Sequence, residues 1–234
     1  MFQSHRDAYI HKIFTTAAPH IDFLSLFLSF GLAGTWRKKL VSFSGLKKGE
    51  HVLDICTGTG ELAILITKMV GGEGSVTGVD FCKTMLDIAQ KKTEDAHQNI
   101  PLVLENAKKL PFRNESFDVV TVAFGMRNIN DTLPALHEAY RVLRRNGRFY
   151  CLELTTPPAR WFRPFYNFYC YRVIPVIGKL ITKSSEPYSY LPRSISSFPP
   201  PEEFKTIIQQ SGFSNVTVHL MTMGVATIYG ALKT

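Results

Sequence analysis

The sequence predicts an α/β fold on a mostly parallel, seven-stranded sheet that ends in a C-terminal antiparallel hairpin, with helical segments covering one edge. Two observations carry this. Between His51 and Glu153, short apolar runs alternate with segments of helical period, and a glycine-bearing turn joins the first strand to the first helix. Near the C-terminus, two apolar runs follow one another with no helix between them.

The elements follow in order. His51–Ile55 (HVLDI) is the first strand, followed by the turn and a helix to about Val70. Ser75–Val79 is the second strand, with a helix from Cys82 to about Asp95, and Pro101–Leu104 is a short third strand. Phe117–Ala123 is the fourth strand and Leu133–Leu143 a helix; Asn146-Gly147 then turns the chain into Arg148–Leu154, the fifth. Glu202–Gln210 is the last helix, and Ser214–Met221 with Val225–Leu232 form the hairpin. Residues 1–48 read as helical and residues 155–200 as an aromatic, proline-interrupted insertion; both are expected as lids over the sheet's carboxyl edge. The single domain thus divides into lid (1–48), cofactor core (49–154), insertion (155–200) and C-terminal helix with strands (201–234).

Composition narrows the class. Apolar residues make up 45% of the 234, enough for a buried core, and Lys plus Arg outnumber Asp plus Glu by 27 − 19 = 8. A basic surface suits nucleic acid, anionic membrane or acidic metabolites alike. The basic residues do not interleave with aromatics as a nucleic-acid platform, and Arg141, Arg144, Arg145 and Arg148 read as a solvated helix end, so no nucleic-acid partner is expected. Cys56, Cys82, Cys151 and Cys170 are far apart, as reduced thiols of a cytoplasmic protein are. No histidine or cysteine spacing suits a metal, and none is expected. Phe23–Gly34 is too short to span a bilayer. It is read as an amphipathic helix over the site rather than a cleaved leader.

The chemistry concentrates after the first strand. Asp54-Ile55-Cys56-Thr57-Gly58-Thr59-Gly60-Glu61 lies between strand and helix, where Gly58, Thr59 and Gly60 let backbone approach a ligand. Asp80 ends the second strand, placed to accept hydrogen bonds from ribose hydroxyls. Gly58-x-Gly60-x-x-Ala63 also meets a loose dinucleotide pattern. Asp54 separates the two readings: a fixed carboxylate suits the methionine ammonium of S-adenosylmethionine and repels a pyrophosphate. Asn106-Ala107, Leu110-Pro111-Phe112, Phe117-Asp118-Val119-Val120 and the Arg141–Gly147 segment then follow in the order of the motifs of Rossmann-like class I methyltransferases.

A narrower likeness lies in Phe124-Gly125-Met126-Arg127-Asn128, Ile174-Pro175-Val176-Ile177-Gly178, the run from Tyr188 to Ile195, and Phe198-Pro199. With Phe30-Gly31 and Trp36-Arg37, these resemble the ubiquinone/menaquinone biosynthesis C-methyltransferase family from about Phe14 onward. Thr57 stands where that family usually has glycine, Glu61 where it has aspartate, and Ala123 where it has a small hydroxyl residue.

The resemblance implies methyl transfer from S-adenosylmethionine to a ring carbon of a polyprenylated quinol, naphthoquinol or benzoquinol. It implies that Asp54, Gly58, Thr59, Gly60, Asp80, Asn106, Ala107 and Ala123 hold the co-substrate. Arg127 would stabilise the acceptor oxygen, with Asn128 orienting its hydroxyl and water taking the proton. Tyr188 and Tyr190 would contact the ring or close the site. A lipid-soluble acceptor implies peripheral contact with the inner face of the membrane, for which Arg160, Arg163 and Arg172 among Trp161, Phe162 and Tyr166 have a fitting composition. The alternatives are an O- or N-methyltransferase of another small molecule, and a non-catalytic lipid-binding subunit of the same fold.

Overall fold

The computed structural model describes residues 5–182 and 186–234. Residues 1–4 and 183–185, within the expected N-terminal and inserted segments, lie outside the described residues. The sheet runs in the order β3-β2-β1-β4-β5-β7-β6. Its strands are β1 (His51–Ile55), β2 (Ser75–Asp80), β3 (Leu102–Leu104), β4 (Phe117–Ala123), β5 (Leu143–Leu154), β6 (Ser214–Met221) and β7 (Ala226–Leu232). β1 to β5 are parallel, and β7 runs antiparallel between β5 and β6.

Ten helices are described: α1 (His5–Ala17), α2 (Ile21–Leu28), α3 (Leu32–Ser44), α4 (Glu61–Val70), α5 (Lys83–Asp95), α6 (Leu133–Val142), α7 (Arg163–Phe168), α8 (Ile174–Thr182), α9 (Glu186–Ser197) and α10 (Pro201–Gln210). Alternation along the strands decides which helices cover which face. Leu53 and Ile55 of β1, with Val120 and Val122 of β4, pack with Leu136 of α6 and Phe204 of α10. Their neighbours Val52 and Val119 pack with Trp36 and Leu40 of α3 and Ile66 of α4. Strand order reverses between β1 and β4, so the loops at their carboxyl ends part and leave a crevice.

Three details differ from expectation. β5 begins at Leu143, not Arg148: Leu143 pairs with Phe117, and the register then shifts before Arg148 pairs with Val119. Asn146, in the left-handed region at φ 61°, makes this turn, donating its N–H to the Lys233 carbonyl. The apolar segment after Phe23 is two helices, not one; α2 stops at Leu28 and the chain bends by 89° into α3 through Gly31 at φ 76°. No single described helix is long and apolar enough to cross a membrane. The arginines near β5 are structural rather than simply solvated. Arg141 bonds Glu138 and the Leu110 and Phe112 carbonyls, Arg144 bonds Asp118, and Arg148 bonds Glu50 and the Ser44 carbonyl.

The insertion is helical: α7 passes through a π-helical turn, Tyr169–Val173, into α8. α8 and α9 meet where Gly178 faces Tyr188; a Cβ there would lie 2.1 Å from the tyrosine ring. With Leu24 of α2, Cys170, Ile174 and Tyr188 form an apolar cluster above the crevice.

Candidate active site

The crevice at β1 and β4 opens into a cavity of about 560 Å³. Its walls include Asp54, Gly58, Thr59, Asp80, Asn106, Ala107 and Ala123, together with Arg127, Asn128, Tyr188 and Tyr190. Gly60 stands just behind, as the left-handed N-cap of α4 at φ 80°. The candidate residues, spread over more than 130 positions of sequence, therefore converge on one space.

Asp54 sits at the end of β1, buried, and both of its oxygens are engaged. Oδ1 accepts from the Thr121 hydroxyl at 2.7 Å and Oδ2 from the Thr57 hydroxyl at 2.7 Å. Burial nevertheless prevails over these bonds and over Arg37, and pushes its pKa up to about 6. Thr57, the departure from the usual glycine, thus supplies a donor to the carboxylate. Gly78 on β2 makes room for it, since a Cβ at Gly78 would lie 2.9 Å from the Thr57 methyl.

Asp80 caps the turn from the other side. Its Oδ2 accepts from the Gly58 N–H and its Oδ1 from the Cys82 N–H, both at 2.9 Å. It is buried too, and desolvation raises its pKa to about 6 against these backbone donors. Each oxygen keeps a lone pair, so the side chain can hold the loop and still accept from a ligand. Cys56 lies between these carboxylates; burial first, then Asp80 and Asp54, push its thiol well above its ordinary range, so it stays protonated and is no nucleophile.

The glycine turn is also gripped from above. Asp22 of α2 accepts from the Thr59 hydroxyl at 2.6 Å and from Lys92 of α5 at 3.1 Å, and Lys92 also pairs with Glu61. On the β3 side, Asn106 forms a turn by accepting the Lys108 N–H at 2.9 Å, with Ala107 buried beside it. Phe81, Met85 and Phe14 make the neighbouring wall apolar, as a purine ring would require.

Arg127 and Asn128 follow β4 on a short 3₁₀ turn. The Arg127 guanidinium is fixed by Glu153 Oε1 at 2.5 Å and by the Phe124 carbonyl at 2.6 Å; its backbone N–H donates to Glu153 Oε2 at 3.1 Å. Glu153, with none of its side chain exposed, was not singled out from the sequence. Its signal was a lone carboxylate in the apolar strand Cys151-Leu152-Glu153-Leu154. Asn128 donates to the Phe124 carbonyl at 3.1 Å and accepts from the Tyr190 hydroxyl at 3.1 Å, so Tyr190 reaches the Arg127 turn. Tyr188 lies farther up, in the apolar cluster with Leu24 and Ile174. Asp22 and Thr121 also escaped the sequence reading, and Arg37 entered it only within the Trp36-Arg37 pair, with no role at the site; only the fold brings the three to the β1 loop. No cluster of three or more His, Cys, Asp or Glu side chains suited to a metal is found among the described residues.

The chain is 40% identical over 224 residues to the demethylmenaquinone methyltransferase of Staphylococcus aureus, covering 96% of this chain and 92% of that one. A methyltransferase of Aquifex aeolicus described as dependent on S-adenosylmethionine superposes with a TM-score of 0.61 at 20% identity, covering 85% of this chain and 89% of that chain. The phosphoethanolamine N-methyltransferase 2 of Haemonchus contortus, solved with S-adenosylmethionine, superposes with a TM-score of 0.61 at 16% identity, covering 84% and 52%. These two establish a shared fold. Residues 2–233 match the ubiE/COQ5 methyltransferase family, and the chain belongs to that family.

Proposed function

We propose that this enzyme transfers a methyl group from S-adenosylmethionine to a ring carbon of a reduced polyprenylated quinol, and that its acceptor is a demethylmenaquinol. One observation carries the reading. A single cavity joins the carboxylate-lined glycine turn to an apolar chamber under α2 and α7–α9, and Arg127 and Asn128 stand at the end of β4 beside that turn. The name of the 40% identical relative supports the naphthoquinol over a benzoquinol of ubiquinone synthesis.

The residues of the β1 loop fit the donor. Gly58 has open space where a Cβ would project, so a ligand can approach its backbone. Asp54 takes the ammonium end, Asp80 the ribose hydroxyls, and Asn106 with Ala107 the base. S-adenosylmethionine supplies an electrophilic methyl. A ring carbon attacks it only when charge from the adjacent hydroxyl enters the ring, so the protein must stabilise that oxygen and hold the carbon at about 3–3.5 Å. Arg127 stabilises the oxygen as a fixed positive charge, because a guanidinium does not release its proton near neutral pH. Glu153 and the Phe124 carbonyl keep it from swinging away. Asn128, braced by Tyr190, orients the hydroxyl, and solvent takes the proton. Tyr188 closes the chamber.

The polyprenyl tail needs an exit, and the surface offers one. Phe23, Leu26, Phe27 and Phe30 of the α2 region are exposed; so are Trp161, Phe165, Phe168 and Leu180 across the insertion. Phe30 and Tyr169 join the two stretches, with ring centroids 5.8 Å apart, and Phe30 and Phe165 also line the cavity. Arg160, Arg163 and Arg172 are exposed in the same insertion, a composition that suits an element resting on anionic lipid. We place the enzyme peripherally at the cytoplasmic face, where its four free thiols stay reduced.

The test offers reduced demethylmenaquinol and the benzoquinol precursor in parallel, in detergent, with methyl-labelled donor. Label in demethylmenaquinol supports the assignment. Label only in the benzoquinol moves the acceptor, and label in neither overturns the reading.

A further inference from the structure

Three cations stand around the cofactor end of the site, and two already have partners: Arg127 is held by Glu153, and Lys92 lies between Asp22 and Glu61. Arg37 of α3 differs. It lines the cavity, with its guanidinium 5.4 Å from the centroid of the Phe124 ring. Glu61, Asp22 and Asp54 attract it through space, but none forms an ion pair or hydrogen bond with it among the described residues. Each is committed elsewhere: Asp54 to Thr57 and Thr121, Asp22 to Thr59 and Lys92, Glu61 to Lys92.

A largely buried guanidinium that carboxylates attract only from a distance costs free energy until an anion bonds to it. Burial pulls its pKa down despite the three carboxylates. The guanidinium carbon stands over the Phe124 ring, and the guanidinium carries its N–H donors in a fork that matches a planar carboxylate. The amino-acid end of the donor needs both signs at once: negative groups for its ammonium and a positive one for its carboxylate. Asp54 on β1, Glu61 on α4, Asp22 on α2 and Arg37 on α3 all line the same cavity.

We infer that Arg37 is the subsite for the α-carboxylate of the donor's methionine moiety, with the Phe124 ring beneath it and no protein carboxylate bonded to it among the described residues. This rests on S-adenosylmethionine being the donor. It makes α3 a ligand-binding element, so that donor binding ties the N-terminal helices to the β1 loop in addition to the Asp22–Thr59 bond.

Calorimetric titration of the full chain with S-adenosylmethionine and with its decarboxylated analogue tests this without turnover. The unaltered protein prefers the carboxylated ligand by about 10–100-fold, the range of a charge-assisted hydrogen bond. Arg37→Gln abolishes the preference while changing affinity for the decarboxylated ligand by less than about threefold, on the same scale. Arg37→Lys, which keeps the charge and loses the fork, retains a reduced preference and serves where the glutamine variant melts early. Equal losses for both ligands in a folded variant, or an unchanged preference in both variants, overturn the subsite alone. Failure of the unaltered protein to bind S-adenosylmethionine overturns the donor assignment, and the subsite with it.

Discussion

Asp54 and Asp80 both titrate near pH 6, because burial opposes their charge more than their hydrogen bonds favour it. Both bind a proton more tightly folded than unfolded. Their contribution to stability is therefore complete below about pH 4, their ordinary range, and is lost as pH rises through about 6. A cationic ligand selects the ionised form, so affinity for S-adenosylmethionine should rise between pH 5 and 7, by up to about tenfold per unit for each group. Asp54→Asn should flatten part of that slope, and calorimetry across the range checks it. At Arg127, replacement by alanine should lower turnover by about 10²–10³ with donor affinity little changed. Near-normal turnover would remove Arg127 from the mechanism. Glu153→Ala leaves that arginine buried without its partner and should cost about 3–5 kcal/mol in denaturant titration. Sequence spacing exposed Asp54 and Asp80, because each lies at the carboxyl end of a strand next to a turn, and the family resemblance marked Arg127, on the 3₁₀ turn after β4. Glu153 and Thr121 were hidden, because a polar residue inside an apolar strand acquires its meaning only from the neighbouring strand.

At the scale of elements, Thr57 and Gly78 are a matched pair across β1 and β2. A methyl at Gly78 would stand 2.9 Å from both Thr57 Cγ2 and Leu102 Cδ2. Gly78→Ala should therefore destabilise by about 1–3 kcal/mol, and Thr57→Gly in the same chain should return part of the loss. Additive losses in the double variant would show that the two do not share the space. Most strand and helix bounds were legible, since buried parallel strands and amphipathic helices carry their own periods. The start of β5 was not, because it depends on Lys233, ninety residues away, pairing with the turn at Asn146 and Gly147. The break between α2 and α3 was missed for a different reason. A largely apolar run hides the bend, where Phe30 and Gly31 both turn left-handed.

For the whole molecule, one cavity shares aromatic residues with an exposed apolar face, and the proposed function has a lipid tail remain in the bilayer at that face while its head group enters. Phe30, 79% exposed, and Leu180, 78% exposed, contribute little to the interior. Replacing both with serine should leave the thermal midpoint nearly unchanged and lower the partition coefficient onto anionic vesicles by about 10²–10⁴-fold, from roughly 1.5–3 kcal/mol per lost apolar side chain. Undiminished flotation would place membrane contact elsewhere. The insertion's aromatic composition was legible, but the contribution of α2 was not, because contiguity between residues 23–30 and 161–180 exists only in three dimensions.

The most direct test of the central claim is the position of the new methyl. After reaction of the purified enzyme with S-adenosylmethionine and reduced demethylmenaquinol, tandem mass spectrometry and NMR of the extracted lipid should show it on a ring carbon, with both hydroxyl oxygens unmodified. A methyl on oxygen, or none on the quinol while the donor is bound, would contradict the account.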